Sequence, residues 1–322
     1  MLYLTIKRMA FFSIVIPVYN KQKDIKKTLE SVLKQTFIDY EIIVVNDGST
    51  DNSEDIILSV TDSRIRYFKT ENKGASSARN FGIEKSAGAV VAFLDADDYW
   101  FPNHLEVLYD LYQTYTEAVL FAARYEFFHP NETVEKIELP GIDANFKGLL
   151  KNIFAISLKY RPLCSSCVAI KKDVFYKIGA FDTTISKNAV GEDTDMWTRI
   201  AIKYPIAYSG KTTARYILGA SNRISNVKTL QQSFLRLDKF REEEKSNYSL
   251  SRFLNIYRAS YALKFKLAGH TEGFNLYYKE ITPAGIPLKT KVLLILPRPF
   301  LKLLFNLKQI LKTRNIHFSI YD

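Results

Sequence analysis

Three aspartates, Asp95, Asp97 and Asp98, follow directly after the apolar run of residues 89–94. Carboxylates this close repel one another unless a cation offsets their charge. On an extended segment, the spacing of Asp95 and Asp97 lets both side chains reach one hard divalent cation, Mg²⁺ or Mn²⁺, which would in turn bind a diphosphate. A plainer interpretation stays open, in which Asp97 or Asp98 only caps a helix that begins near Pro102.

Two other apolar runs also end in polar side chains. Residues 13–17 are followed by Tyr19 and Asn20, and residues 41–45 lead to Asp47. Taken alone, each segment has a structural explanation. Asp47 is typical of a tight turn that precedes a helix cap, and Tyr19 could lie in an ordinary loop. Taken together, the polar residues at the three strand ends favour a functional site, because several carboxylates and one aromatic ring would meet there.

The segments between these side chains predict an α/β fold. Short β-branched runs alternate with stretches whose apolar residues recur at helical spacing. The predicted order is strand 13–17, helix 21–35, strand 41–45, helix 53–60, strand 64–69, helix 74–86 and strand 89–94. This alternation predicts a mostly parallel sheet flanked by helices on both faces. Ligands of such sheets bind beyond the carboxyl ends of the strands, where the aspartates lie.

The patterns weaken after residue 101. The spacing predicts a helix at 103–115, a strand at 119–128, a helix at 194–203 and an almost wholly helical region from residue 227. We therefore expect a sheet domain at 10–225 and a mainly helical, basic region at 226–322. Cys164 and Cys167 are too few for a disulfide framework and lack the second ligand pair of a zinc site, so we expect two small core residues in a buried strand.

Five segments, in this order, carry a family resemblance: Ser13–Asn20, Val45–Asp51, Gly74–Asn80, Phe93–Asp98 and Gly191–Asp195. Together they resemble a bacterial-type, non-processive family 2 glycosyltransferase of the GT-A fold, which is Rossmann-like. The resemblance covers about two thirds of the chain. It implies an enzyme that transfers a glycosyl group from a nucleoside-diphosphate sugar and uses a divalent metal, Mn²⁺ or Mg²⁺.

The resemblance assigns seven residues to the nucleotide sugar: Pro17, Tyr19, Asn20, Asp47, Arg79, Asp95 and Ala96. The Tyr19 ring would pack on the base, and Asp47 would accept the N3–H of uracil, which favours UDP as the nucleotide. Arg79 would lie near the diphosphate. The plainer interpretation of Arg79 is a solvated helix face.

The resemblance also assigns the metal and the catalytic groups. Asp97 would hold the metal directly, with Asp95 nearer the ribose and the metal-bound waters. Glu192 and Asp193 form the late acidic pair, and Asp193 is the candidate general base that takes the proton of the attacking acceptor hydroxyl. The metal and Arg79 would stabilise the departing diphosphate. The alternative role of the acidic pair is to cap the helix that follows it.

Three features depart from the family or narrow the activity. Asn46 stands where the family often has Asp, so a charge is lost beside the base or ribose. Residues 215–225 contain no His, so a phosphate contact there would depend on Arg215 or Arg223. The Gln-x-x-Arg-Trp pattern of processive synthases is absent, which favours one sugar per encounter.

The basic residues concentrate near the end of the sequence. Residues 286–314 contain seven Lys and Arg and no Asp or Glu, interleaved with many leucines. The spacing predicts two basic amphipathic helices around Pro297 and Pro299, which would suit an anionic membrane surface. The alternative is that these helices dock on the core and leave a basic face in solvent.

Composition sets wider limits. The 322 residues include 45 Lys and Arg against 34 Asp and Glu, a net charge of +11 that favours an anionic partner. No nucleic-acid-binding pattern is present, so no nucleic acid partner is expected. There is no secretory signal and no apolar run of about 20 residues, so we expect a cytoplasmic protein or one peripheral to the cytoplasmic face of the membrane. The four histidines are scattered, and we expect them on the surface or in loops.

The sequence therefore predicts a metal-dependent, inverting glycosyltransferase. It would move one sugar from a nucleotide sugar to a glycan or lipid-linked acceptor in the synthesis of a surface polysaccharide. A nucleotidyltransferase is one alternative, although no Gly-rich phosphate loop follows the first strand. The other is a non-catalytic module that binds nucleotide or membrane on the same scaffold.

Overall fold

The computed structural model describes residues 10–184, 188–223, 227–282 and 285–313, apart from the side chains of Ala189 and of residues 308–313. The predicted domain limit at 225 and the basic residue Arg314 lie outside the described residues. Of the four histidines, His317 lies outside them as well.

The first hundred residues form the predicted alternation of strands and helices. The elements are β1 (Phe12–Val18), α1 (Ile25–Leu33), β2 (Tyr40–Asp47), α2 (Ser53–Leu58), β3 (Ile65–Thr70), α3 (Ala75–Lys85) and β4 (Val90–Phe93). The side chains of β1, β2 and β4 are almost all buried, as expected for strands covered on both faces.

The middle of the chain is more irregular. Its elements are β5 (Tyr99–Trp100), α4 (His104–Thr114), β6 (Leu120–Phe128), β7 (Val134–Lys136), β8 (Lys147–Leu149), α5 (Ile153–Ile156), β9 (Val168–Lys171), α6 (Val174–Ile178), β10 (Ala189–Val190), α7 (Glu192–Lys203) and β11 (Ile206–Ile217). The residues after 227 are mainly helical, as predicted. They form β12 (Ser233–Phe234), α8 (Arg241–Ser246), α9 (Tyr248–Ala268), α10 (Thr271–Tyr278), α11 (Leu288–Ile295) and α12 (Arg298–Thr313).

One ten-stranded sheet organises the first part of the chain, in the order β3-β2-β1-β4-β9-β6-β11-β5, with β7 paired to β6 and β8 paired to β11. The run β3-β2-β1-β4 is parallel, as predicted. Strand β9 enters antiparallel between β4 and β6, so the second half of the sheet is mixed. The predicted α/β class is confirmed, with the parallel half supplying the edge that carries the aspartates.

Contacts divide the chain into two compact units. The first takes in the described residues of 1–151 and 162–226, and the second takes in residues 152–161 and the described residues from 227. The segment 152–161, which carries α5, therefore belongs with the second unit, although the predicted limit at 225 placed it with the first. The division of the chain into a domain at 10–225 and a region at 226–322 stays a proposal.

Two local expectations need correction. Ser165–Cys167 form a short 3₁₀ turn, and the strand begins only at Val168, because Cys164 N–H bonds the Cys167 sulfur and closes the turn. Both thiols are buried and free, as expected for core residues. His104 is fully buried on α4, not on the surface: it stacks on Trp100 and bonds the Thr213 hydroxyl at 2.7 Å. Burial lowers the pKa of His104 to about 3.

Within the described ranges, none of the helices combines the length and the apolar character that crossing a bilayer requires.

Candidate active site

The carboxyl ends of β1, β2 and β4 lie along one edge of the sheet. In the parallel registers, Val18 pairs with Asn46 and Val15 pairs with Phe93. Tyr19 follows β1, Asp95 follows β4 and Asp47 is the last residue of β2, so all three come to the same edge. The topology brings together three of the segments that the sequence predicted, as the rule for parallel sheets requires.

Arg79 is the centre of the charged cluster at this edge. It lies on α3, is 4% exposed, and donates from Nη2 to Asp95 Oδ1 at 2.7 Å and from Nη1 to Glu192 Oε1 at 3.2 Å. Its guanidinium also lies 5.4 Å from the centre of the Phe181 ring. Arg79 is therefore not a solvated helix residue. It connects the acidic turn after β4 to the acidic pair at the start of α7.

The acidic pair occupies the first turn of α7. Gly191, with φ +102°, precedes it in a backbone conformation that glycine adopts easily. Glu192 is 9% exposed, and burial raises its pKa to about 7, helped by the neighbouring Asp193 and opposed by Arg79. Asp193 is only partly buried and accepts the Thr194 N–H at 2.6 Å. Of the two carboxylates, Asp193 is the more accessible.

Asp97 has a partner that the sequence analysis missed. Its Oδ2 accepts from Lys21 Nζ at 2.7 Å, and Lys21 also donates to the carbonyl oxygen of Ser221 at 2.6 Å. Both side chains are largely buried, and burial raises the pKa of Asp97 although Lys21 opposes that shift. The only sequence signal was the place of Lys21, directly after the Tyr19–Asn20 segment at the end of β1.

The acidic segment after β4 is a turn, not the extended stretch that the spacing argument assumed. Asp98 N–H donates to the Asp95 carbonyl oxygen at 3.0 Å. Asp98 itself is structural: Ser166 Oγ and the Ile217 N–H both donate to its carboxylate, and burial raises its pKa well above the usual range. Its carboxylate bonds the 3₁₀ turn at Ser166 and the last residue of β11, and Asn103 occupies the N-cap position of α4.

Two residues at the end of β2 hold loops in place. Asp47 accepts the backbone N–H groups of Lys73 and Gly74 at 2.9 and 2.8 Å, so it fixes the entry to α3. Asn46 is fully buried and bonds the Tyr67 hydroxyl and the Ser49 N–H. Both oxygens of Asp47 therefore already accept a hydrogen bond. The predicted contact with a base would add a further hydrogen bond to this carboxylate.

The end of β1 presents an aromatic ring. Tyr19 is 39% exposed, directly after Pro17 and Val18 at the sheet edge. Asn20 has φ +53°, a left-handed conformation that Asn tolerates, and its Oδ1 accepts the Thr50 N–H at 2.8 Å. Ala96, which was predicted to contact the nucleotide sugar, is 1% exposed, so its side chain offers no surface to a ligand.

The two arginines considered for phosphate contact differ. Arg215 is paired with Glu126, from Nη2 to Oε1 at 2.6 Å. Arg223 bonds the Leu218 carbonyl oxygen and the Tyr216 hydroxyl, and its positive charge opposes the rise that burial causes in the pKa of Asp97. Of the two, only Arg223 is placed beside the acidic turn.

The charges at this edge fit a divalent cation that is held jointly with phosphate. The carboxylates are Asp95, Asp97, Asp98, Glu192 and Asp193, and the cations beside them are Lys21, Arg79 and Arg223. Among the described residues there is no set of three His, Cys, Asp or Glu arranged to hold a metal by protein ligands alone. Mg²⁺-type ions are commonly bound by one or two carboxylates, water and substrate phosphates, a role that Asp95 and Asp97 can fill.

Sequence comparison places residues 13–179, more than half of the chain, within the model of Glycosyl transferase family 2. An uncharacterized glycosyltransferase of Rickettsia bellii is 30% identical over 240 residues, which cover 73% of this chain and 33% of that protein. The Escherichia coli UDP-Glc:alpha-D-GlcNAc-diphosphoundecaprenol beta-1,3-glucosyltransferase WfgD is 36% identical over 141 residues, covering 44% of this chain and 55% of WfgD. The matches thus span about a third of the first curated relatives' length.

Solved structures agree on the fold. Staphylococcus aureus TarS 1-349, crystallised in complex with UDP-GlcNAc, gives a TM-score of 0.56 at 18% identity over 84% of this chain and 73% of that chain. GalNAc-T7 with UDP, GalNAc and Mn²⁺ gives a TM-score of 0.52 at 17% identity over 67% of this chain and 45% of that chain. At these identities the likeness shows the fold, which is the GT-A fold.

Proposed function

The chain belongs to Glycosyl transferase family 2, and we propose that it transfers one sugar from a nucleoside-diphosphate sugar to an acceptor hydroxyl with inversion at the anomeric carbon. One observation carries this proposal. Arg79 is buried between Asp95 and Glu192 at the sheet edge, so one cation connects the acidic turn to the acidic pair. That arrangement can bind a diphosphate beside a carboxylate that accepts a proton.

For the donor we propose a UDP-sugar. The exposed ring of Tyr19 offers a stacking surface for a base at the end of β1. WfgD is named for UDP-Glc, and TarS was crystallised with UDP-GlcNAc, which supports the same nucleotide here. Asp47 fixes the entry to α3 through the backbone N–H groups of Lys73 and Gly74, and we propose that its remaining lone pairs accept the N3–H of uracil.

For the diphosphate we propose Arg79 together with a divalent cation, Mn²⁺ or Mg²⁺, held by Asp97 and Asp95. When bound, the cation neutralises charge on the leaving nucleoside diphosphate. Arg79 contributes a fixed positive charge at the same edge without reorganisation, because its two carboxylate partners already orient it. Lys21 holds Asp97 in position and links it to the backbone at Ser221.

For the proton transfer we propose Asp193. The acceptor oxygen bonds to the anomeric carbon, its proton moves to the Asp193 carboxylate, and the bond between the anomeric carbon and the diphosphate oxygen breaks. Asp193 suits this role because it is the accessible member of the pair. Glu192 is buried against Arg79 and orients that guanidinium.

For the acceptor we propose a glycan, including one on a lipid carrier, in the synthesis of a surface polysaccharide. WfgD is named for a diphosphoundecaprenol-linked acceptor, and it matches 44% of this chain. A lipid-linked acceptor would place the reaction at the cytoplasmic face of the membrane, which is the location we propose.

The test begins with nucleotide binding. Thermal unfolding would be followed with UDP, GDP, CDP, dTDP and ADP, each with and without Mn²⁺, because a ligand of the native state raises its stability. We expect UDP with Mn²⁺ to give the largest shift. A larger shift with another nucleotide would overturn the assignment of UDP.

Transfer is then measured with UDP-sugars and product analysis. Retention at the anomeric carbon would contradict the inverting mechanism. Binding of UDP without release of UDP from any UDP-sugar, with or without glycan acceptors, would favour the non-catalytic alternative.

A further inference from the structure

Helices α11 and α12 expose an unusual share of apolar side chains. Seven of the sixteen exposed large hydrophobic residues in the described part of the chain lie between residues 288 and 307: Leu288, Val292, Ile295, Phe300, Leu303, Leu304 and Leu307. We call these seven residues the α11–α12 surface. Single exposed hydrophobic residues are normal, but an exposed apolar face on each of two consecutive helices is typical of an interaction site.

Helix α11 has two apolar faces. Leu293 and Leu294 are 6% and 3% exposed and supply the buried face. Leu288, Val292 and Ile295 follow one another at four and three residues, so they share the opposite face, and they are 75%, 47% and 71% exposed. Within the described ranges the fold covers only the first face of α11 and leaves the second exposed.

Helix α12 repeats the arrangement. Leu301 is fully buried, while Phe300, Leu303 and Leu307 are 60%, 66% and 49% exposed. Their spacing of three and four residues again places them on one helix face. Because α12 spans only Arg298–Thr313, the helix is too short to cross a bilayer and suits a position along an interface.

The charged side chains of α11 and α12 have a single sign. On a helical wheel, Lys289 and Lys291 fall on either side of the exposed face of α11, and Lys289, Arg298 and Lys302 are exposed. No Asp or Glu occurs from residue 281 to residue 321. Lysines that flank an apolar face can extend their ammonium groups toward anionic headgroups while the apolar side chains enter the acyl boundary.

We propose that the α11–α12 surface binds the surface of an anionic lipid bilayer. Self-association through this surface is disfavoured because it would bring the flanking lysines of two copies together. Nucleic acid is disfavoured because the exposed side chains are mostly aliphatic and offer no stacking platform. The proposal goes beyond the transfer reaction and does not depend on it.

Vesicle binding by the full chain tests the proposal. Flotation would compare phosphatidylcholine vesicles with vesicles that also contain phosphatidylglycerol, at low and high salt. We expect binding to the anionic vesicles and weaker binding at high salt, because headgroup attraction is screened. No binding to anionic vesicles, or equal binding to both compositions, would overturn the proposal.

Two variants separate the charges from the apolar face. Lys289→Gln, Lys291→Gln and Lys302→Gln together should lower the partition coefficient by about fivefold per lysine. Phe300→Ser with Leu303→Ser should lower it by about tenfold or more. Both sets change side chains outside the core, so far-ultraviolet circular dichroism and UDP binding should stay as in the wild type.

Matched controls come from the first unit. Lys26→Gln, Lys27→Gln and Lys34→Gln remove three exposed lysines, and Ile38→Ser with Leu58→Ser removes two exposed hydrophobic side chains. We expect vesicle binding to be unchanged in both controls. Equal losses in the controls and the α11–α12 variants would contradict the assignment to this surface.

A dimer of the wild-type chain in sedimentation, dissociated by Leu303→Ser and not by lipid, would replace the bilayer with a second copy.

Discussion

Two arginines in this protein are buried beside two carboxylates, and they are used differently. Arg79, at the sheet edge, is 4% exposed and bonds Asp95 and Glu192. Arg258, on α9, is fully buried and is paired with Glu244 and Glu280. Both sites pair one guanidinium with two carboxylates. They differ in how the hydrogen bonds are divided between the two carboxylates and in what surrounds those carboxylates.

The α9 arrangement is closed. Arg258 donates two bonds to the single carboxylate of Glu244, at 2.7 and 2.5 Å, a bidentate geometry that engages both carboxylate oxygens. Glu244 and Glu280 are 9% and 13% exposed at their side chains. A pair of this kind stabilises one packing arrangement and presents little surface to a ligand.

The sheet-edge arrangement is open. Arg79 gives one bond to each of two carboxylates, and the Asp95 side chain is 28% exposed. Five carboxyl groups lie at this edge, Asp95, Asp97, Asp98, Glu192 and Asp193, and they outnumber the three cations beside them, Lys21, Arg79 and Arg223. The two arrangements therefore differ mainly at Asp95, whose partly exposed carboxylate gives a ligand access that neither Glu244 nor Glu280 offers.

The largest expected effect is on catalysis at the open arrangement. Asp193→Asn should lower kcat by about 10²–10⁴-fold, because the amide cannot accept the acceptor proton. UDP binding and the free energy of unfolding should change little. Glu84→Gln is the matched control, since Glu84 is 69% exposed at its side chain on α3. Unchanged kcat in Asp193→Asn would reject Asp193 as the base.

Substitution of each buried arginine should affect stability at both positions but UDP binding at only one. Arg79→Met and Arg258→Met should each cost about 3–5 kcal/mol of unfolding free energy, because each leaves buried carboxylates without their cation. Urea unfolding measures this cost. The milder variants Arg79→Lys and Arg258→Lys then separate function from stability. Only Arg79→Lys should weaken UDP binding, and equal weakening in both would show that the two arrangements do not differ as described.

A smaller effect is expected from the cation. At a UDP concentration of 100 times Kd, ligand binding stabilises a native protein by about 2.7 kcal/mol. We expect Asp97→Asn to lose the part of this stabilisation that requires Mn²⁺ and to keep the part that does not. The readout is the thermal unfolding midpoint with UDP, titrated with Mn²⁺. A Mn²⁺ dependence identical to that of the wild type would show that Asp97 is not a metal ligand.

The most gradual effect is a dependence of the unfolding free energy on pH. Burial raises the pKa of Glu192 in the folded protein from 4.5 to about 7, so the folded state binds this proton more tightly than the unfolded chain does. The resulting stabilisation is fully present below pH 4.5 and is lost as the pH rises through 7, by at most about 1.4 kcal/mol per pH unit. Glu192→Gln should flatten the stability profile in this window. A profile that is unchanged in Glu192→Gln would assign the slope to another group.

Much of the sheet edge was predictable because local patterns encode it. Strand–helix alternation over the first hundred residues set the parallel half of the sheet, and the polar residues after each apolar run had to meet at its carboxyl edge. The five ordered segments then predicted the family, which the comparison of residues 13–179 confirms.

The partners of these residues were not predictable, because they depend on contacts between distant segments. Lys21 meets Asp97 across 76 residues, and Asp98 meets Ser166 across 68 residues. Neither pair leaves a pattern in spacing or composition, so Asp98 could be mistaken for a helix cap. Antiparallel entry of β9 between β4 and β6 was missed for the same reason, since strand order is a property of the folded sheet.

The sequence by itself determined the element types, the acidic and aromatic residues at three strand ends, and the basic, leucine-rich composition of residues 286–314. Only the tertiary structure decided which charges are partners and which apolar faces stay exposed. The physical reason is that periodicity reports a helix or strand and its amphipathic character, whereas burial depends on what packs against it. Arg79 and Leu303 are two examples. The charged side chain of Arg79 is buried, whereas the apolar side chain of Leu303 is 66% exposed.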